Sequence, residues 1–156
     1  MTSMLRTKAI RRYFDDAQET PVQRIVLVVS LWWASNGVIA YWINPSFSLH
    51  PMSMRTVHFF VVPITVNAWH ALFHFVTGAV GLILVRQRQS ATIYAFVFAA
   101  LYETVGILGM RDGEQVLGMM AVDRFGCGVH MAEGLIVLTG GLLALLPERR
   151  NASDMQ

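Results

Sequence analysis

The sequence predicts an all-α polytopic membrane protein, a bundle of four transmembrane helices built from two hairpins in a parallel repeat. Three observations point there. Four apolar runs of membrane-spanning length follow one another, basic residues gather at one set of their ends, and the second and fourth runs share a pattern at a constant offset of 56 residues. Composition agrees. Of the residues, 54% are hydrophobic and only 14% are charged, too few charges to cover the surface of a soluble domain of this size. The net charge of +2 lies at the ends of apolar runs and not along a stripe, which argues against nucleic acid as a partner.

The N-terminal segment, 1–24, is basic. Within it SMLRTKAIRRYF (3–14) sets Leu5, Ala9, Ile10, Tyr13 and Phe14 against Arg6, Lys8, Arg11 and Arg12. Such a pattern suits a short helix lying on an anionic membrane face, or equally a frayed basic tail. The first apolar run, 25–43, is too long and too far from Met1 for a cleaved leader and reads as a retained helix. The second covers 68–85, the third 91–110, and the fourth 126–146 before Pro147. At about 1.5 Å per residue each suffices for ~30 Å of hydrocarbon, where peptide groups must bond within the helix.

Between them lie loops 44–66 and 111–122, with a tail at 147–156. In the first loop TVHFFVVPITV (56–66) is apolar, but Pro63 interrupts helix, so the stretch is expected to dip into the interface without spanning. His50 and His58 in that loop read as solvated. Cys127, the single cysteine, forms no intrachain disulfide and reads as a small packing residue.

Lysine and arginine set the orientation. Arg6, Lys8, Arg11, Arg12, Arg24, Arg86, Arg88, Arg149 and Arg150 fall on one side, and Arg55, Arg111 and Arg124 on the other. This bias places both termini in the cytoplasm, with the two longer loops outside. Trp42, Trp69 and Phe125 then fall at the outer boundary, where aromatic belts form. The Asn-Ala-Ser tripeptide at 151–153 matches a glycosylation sequon, but on the cytoplasmic side it has no such meaning.

The repeat pairs Val66 with Val122, Asn67 with Asp123, Trp69 with Phe125, His74 with His130 and Gly78 with Gly134. Asn67 and Asp123 each precede a helix and are expected to cap it. The helix faces are stripes of small and polar residues. They are Ser30, Ala34, Gly37 and Tyr41 in the first run; His70, His74, Thr77, Gly78 and Gly81 in the second; Ala95, Ala99, Tyr102, Glu103, Gly106 and Met110 in the third; and Gly126, His130, Glu133, Gly134, Val137 and Gly141 in the fourth. By helical rise, His74, Glu103 and His130 lie about 10 Å below the outer boundary, with Asn36 and Glu133 somewhat deeper. Together these five form a polar layer to which every helix contributes. His70, whose place in the repeat is taken by Gly126, sits above it near the headgroups and reads as an accessory residue.

VNAWHALFHFVTGAVGL (66–82), ATIYAFVFAALYETVGILGM (91–110) and VDRFGCGVHMAEGLIVLTGG (122–141) resemble the bacterial membrane-protein family known as domain of unknown function 4383. The family's Asn…His…Gly block falls on Asn67, His74 and Gly78, its tyrosine-bearing helix on Tyr94 and Tyr102, and its Asp…His…Gly block on Asp123, His130 and Gly134. At Gly126–Gly128 the chain departs from the family's bulkier pattern. The resemblance implies a four-helix architecture in the bacterial inner membrane and assigns no activity.

Ionisable groups inside a membrane are costly and point to a partner or a cavity. The first reading is a structural polar core, in a non-enzymatic accessory protein that meets another membrane protein or a second copy. In it, His74 and His130 donate to Glu103 or Glu133 and fix the register of the bundle. The second is a cofactor site, either b-type haem held axially by His74 and His130, or a transition metal held by His70, His74, His130, Glu133 and Glu103. The third is proton or small-solute conduction by an oligomer. No nucleophile elbow, phosphate-binding loop or Cys/His pair suggests soluble-enzyme catalysis.

Overall fold

The computed structural model describes residues 2–147, apart from the side chains of 2–6 and Phe59. Arg149, Arg150, the 151–153 tripeptide and most of the tail lie outside the described residues, as do the side chains of Leu5 and Arg6. The chain is mostly helical. Helix α1 spans Thr2–Asp16, α2 Pro21–Ile43, α3 Ala68–Leu84, α4 Arg88–Asp112 and α5 Arg124–Ala144. Strands β1 (Arg55–Phe59) and β2 (Val62–Val66) lie between α2 and α3, and β3 (Gln115–Val116) and β4 (Met120–Ala121) between α4 and α5. Three helices, α2, α4 and α5, are long and apolar enough to cross a membrane, while α3 is a shorter apolar helix of 17 residues.

Local chemistry explains the ends. Thr20 caps α2 in a reciprocal box with Gln23, and Pro21 fills the first turn, so the helix begins four residues before the apolar run. Asn67 accepts from the His70 amide to cap α3, and Asp123 accepts from the Gly126 amide at 2.7 Å to cap α5. Helix α5 is regular through Gly126 and Gly128. Gly113, at φ +90, lets the chain turn out of α4 where a side chain would be strained.

The expectation of an all-α chain needs correction. Residues 55–66 do not form a loose interfacial loop but an antiparallel hairpin, with Arg55 opposite Val66 and Phe59 opposite Val62. Pro63 stays compatible because a two-stranded ribbon has an unpaired edge for it. A smaller ribbon, Gln115–Val116 with Met120–Ala121, occupies the equivalent place before α5. The chain therefore follows one plan twice, helix, β-hairpin, capped helix.

Within each half the two helices run antiparallel in close contact. A Cβ on Gly37 would meet Ala71 and Phe75, one on Gly78 would meet Ser30 and Ala34, and one on Gly81 would meet Ser30. In the second half Gly106 faces Cys127 and Met131, Gly134 faces Ala99 and Glu103, and Gly141 faces Phe96. The halves join around a core containing Trp33, Tyr94, Tyr102 and Val137, in which the Trp33 and Tyr102 rings stack at 3.8 Å.

Helix α1 is fastened to the other end of the bundle. The Tyr13 hydroxyl donates to the Leu82 carbonyl, and Arg86 pairs with Asp16 at 2.8 Å. Partial burial pushes the Tyr13 phenol above its ordinary pKa, against the opposing pull of Arg86.

A buried cluster of three histidines

The polar residues converge beneath the two hairpins. His70 and His74, one turn apart on α3, and His130 on α5 are 5%, 7% and 2% exposed. Their Nε2 atoms form a triangle, with His70 to His74 at 3.1 Å, His74 to His130 at 3.2 Å and His70 to His130 at 3.3 Å.

The outward nitrogens are fixed by their neighbours. His70 Nδ1 lies 2.8 Å from the Ala121 carbonyl, which can only accept, so this nitrogen carries the proton. Thr77 Oγ1 donates to the His74 carbonyl at 3.1 Å, and so accepts from the Tyr102 hydroxyl at 2.9 Å. The Tyr102 oxygen in turn accepts from His74 Nδ1 at 3.1 Å. In neutral rings with these tautomers, assigned from the hydrogen-bond network, His70 and His74 both turn an Nε2 lone pair toward the centre. His130 Nδ1 has no partner.

One side of the triangle is closed by aromatic rings. Phe73 and Tyr102 pack on the imidazoles with centroids 5.5–6.2 Å from His74 and His130. The other side opens on a cavity of about 250 Å³ bordered by all three histidines, Asn36 and Glu133. Glu133 accepts from the Trp32 indole at 2.7 Å, leaving its buried Oε2 without a partner.

This geometry revises several expectations. His70 is no accessory residue but an equal, buried member of the cluster. His74 and His130 bond to each other and to His70, and His74 also to Tyr102, with no bond from either to Glu103 or Glu133. Among the described residues, the three imidazoles are the one group of His, Cys, Asp or Glu donors close enough to share an ion, and Glu103 and Glu133 are not part of it. Glu103 instead packs on Gly134, with a buried Oε1 that has no partner. Half-buried Asn36 borders the cavity, whereas His50, before the first hairpin, and His58, in β1, are exposed.

A tetrahedral ion with metal–imidazole bonds of about 2.0–2.1 Å sets its ligand nitrogens about 3.3–3.4 Å apart. The observed triangle is within a few tenths of an ångström of that. Two axial haem ligands need twice such a bond, about 4 Å, with a macrocycle between them. The 3.2 Å separation of His74 from His130, with a third imidazole against both, does not fit that arrangement.

Fold and site together define a helical, membrane-type protein with a buried three-histidine cluster between two similar halves. The chain belongs to the family described as domain of unknown function (DUF4383), whose model matches residues 23–143. No curated protein and no solved structure matches it significantly.

Proposed function

We propose that this chain is a four-crossing protein of a bacterial inner membrane, with both termini in the cytoplasm, and that His70, His74 and His130 bind a transition-metal ion in its outer half. The observation that carries the reading is the facing of His70 and His74 Nε2 at 3.1 Å while both Nδ1 atoms are committed as donors. Two inward lone pairs at that distance repel and call for a positive centre beside them, which a bound cation supplies to all three nitrogens and an Nε2–H of His130 supplies in its absence. Imidazole suits zinc, copper, iron and nickel, and a pyramidal set of three favours zinc with one position left open. The Tyr102–Thr77 relay and the Ala121 carbonyl orient the His74 and His70 rings as partners of metal-bound imidazoles do.

Helix α3 supports the fourth crossing, since its 17 residues give about 26 Å at 1.5 Å per residue, near the lower limit for a span. The role is that of a binding or accessory protein and not of a catalyst, with lipid and a neighbouring membrane protein or second copy as its partners.

The test is elemental analysis of protein purified without added chelator. A stoichiometric transition metal is expected, lost in His70→Ala, His74→Ala and His130→Ala variants that keep native helix content by circular dichroism. A wild-type protein that is folded, metal-free and unresponsive to added zinc returns the cluster to a structural polar core held together by a shared proton.

A further inference from the structure

The cavity beside the triangle has walls unlike its floor. The floor is the three imidazoles with Asn36 and Glu133. The walls are Trp32, Ile39 and Ile43 of α2, Ile64 of β2, and Phe125 and Val129 of α5. Trp32, Ile39 and Phe125 are more than half exposed and belong to the apolar outer surface of the bundle. The mouth therefore lies between α2 and α5 and faces sideways, toward the hydrocarbon of a membrane. An ion or hydrophilic solute gains nothing from such an approach, whereas a molecule already dissolved in the bilayer does.

Resting on the metal reading above, we propose that the open coordination position receives the O–H-bearing head of a membrane amphiphile that enters sideways between α2 and α5. Phe73 and Tyr102 close the opposite side of the triangle and neither borders the cavity, so the open position turns toward the mouth. Glu133, on the cavity floor with one carboxylate oxygen lacking a partner, is the acceptor for the head-group hydrogen. The cavity of about 250 Å³ is smaller than the ~300–1,000 Å³ of drug-sized sites. It takes a head group and the first carbons of a chain, and the rest of the chain stays in lipid against Ile39 and Phe125.

The test uses the full chain loaded with cobalt(II) in phospholipid nanodiscs, with visible absorption reporting on the coordination sphere. Octanohydroxamic acid and acetohydroxamic acid are the probes, carrying the same oxygen-donor head on a long and a short chain. Entry from the bilayer predicts that the octanoyl probe shifts the cobalt bands at a total concentration at least tenfold lower. Entry from water predicts the reverse order, because the bilayer then acts as a sink for the longer chain.

Val129→Trp, which narrows the mouth, is expected to abolish the octanoyl response while cobalt stays bound. Ile39→Trp on the facing wall serves if the first variant does not fold. Equal responses to the two probes, a Trp variant that responds as wild type, or bound cobalt that responds to neither probe overturns the proposal and leaves the metal reading intact. A protein that takes up no cobalt removes the metal reading and this inference with it.

Discussion

Tyr102 decides which nitrogen of His74 bears a proton. Its hydroxyl is committed as a donor to Thr77, so it can only accept from His74 Nδ1, and that turns Nε2 into a ligand lone pair. Tyr102→Phe removes the acceptor without emptying the ring's place against Trp33. A 10- to 100-fold loss of zinc affinity is expected, the usual cost of losing a partner that orients a metal-bound histidine, with little change in helix content. Competitive titration against a chromophoric chelator measures it; an unchanged affinity would show that the relay does not orient the ligand. At this scale the sequence exposed His74 and His130, through their shared offset, and misplaced His70. Counting residues from Asn67 puts His70 just inside the outer boundary, where water is expected. The misplacement arose because the count ignores what lies above. The Ala121 carbonyl and the hairpins cover that turn, and a ribbon with two-residue strands leaves almost no periodic signal.

Among the elements, the α2–α3 contact is the least forgiving of added volume. A Cβ on Gly78 would lie 2.6 Å from the Ser30 carbonyl oxygen and still closer to the Ala34 amide nitrogen, both backbone atoms that cannot rotate away. Gly78→Ala is expected to cost about 1–3 kcal/mol as overpacking. Gly128, on α5, has nothing within 4 Å of the same position, and Gly128→Ala should be neutral or gain up to about 1 kcal/mol from helix propensity. Thermal unfolding in detergent, followed by tryptophan fluorescence, separates the two, and equal melting temperatures would contradict the close approach of α2 and α3. The stripes containing Ser30, Ala34, Gly37, Gly78 and Gly81 were legible because small residues recur at helical spacing, and these residues do meet. Helix ends were less so. Helix α4 runs from Arg88 to Asp112, beyond its apolar stretch, since charged residues at an interface continue a helix as readily as they end it.

For the whole molecule, the outer surface of the helices carries Leu31, Val38, Phe75, Ile83, Val97 and Ile136 exposed, an apolar coat suited to lipid. The basic residues give that coat a direction. In a Cys127→Ala background, Ser48→Cys before β1 should react with a membrane-impermeant maleimide added to intact spheroplasts. Gln89→Cys near the start of α4 should react only after lysis, and the opposite pattern would invert the topology.

The clasps under the hairpins also cross between halves. Asn67 caps α3 yet donates to the Met119 carbonyl, and Asp123 caps α5 yet accepts from the Thr65 amide. Two of the three imidazoles come from the first half and one from the second. The chain is thus organised as a dimer made covalent by the short Val85–Gln87 link, which holds its two protomers at a fixed high effective concentration. Neither protomer owns the triangle. Cutting the link would make the triangle depend on the two halves finding each other.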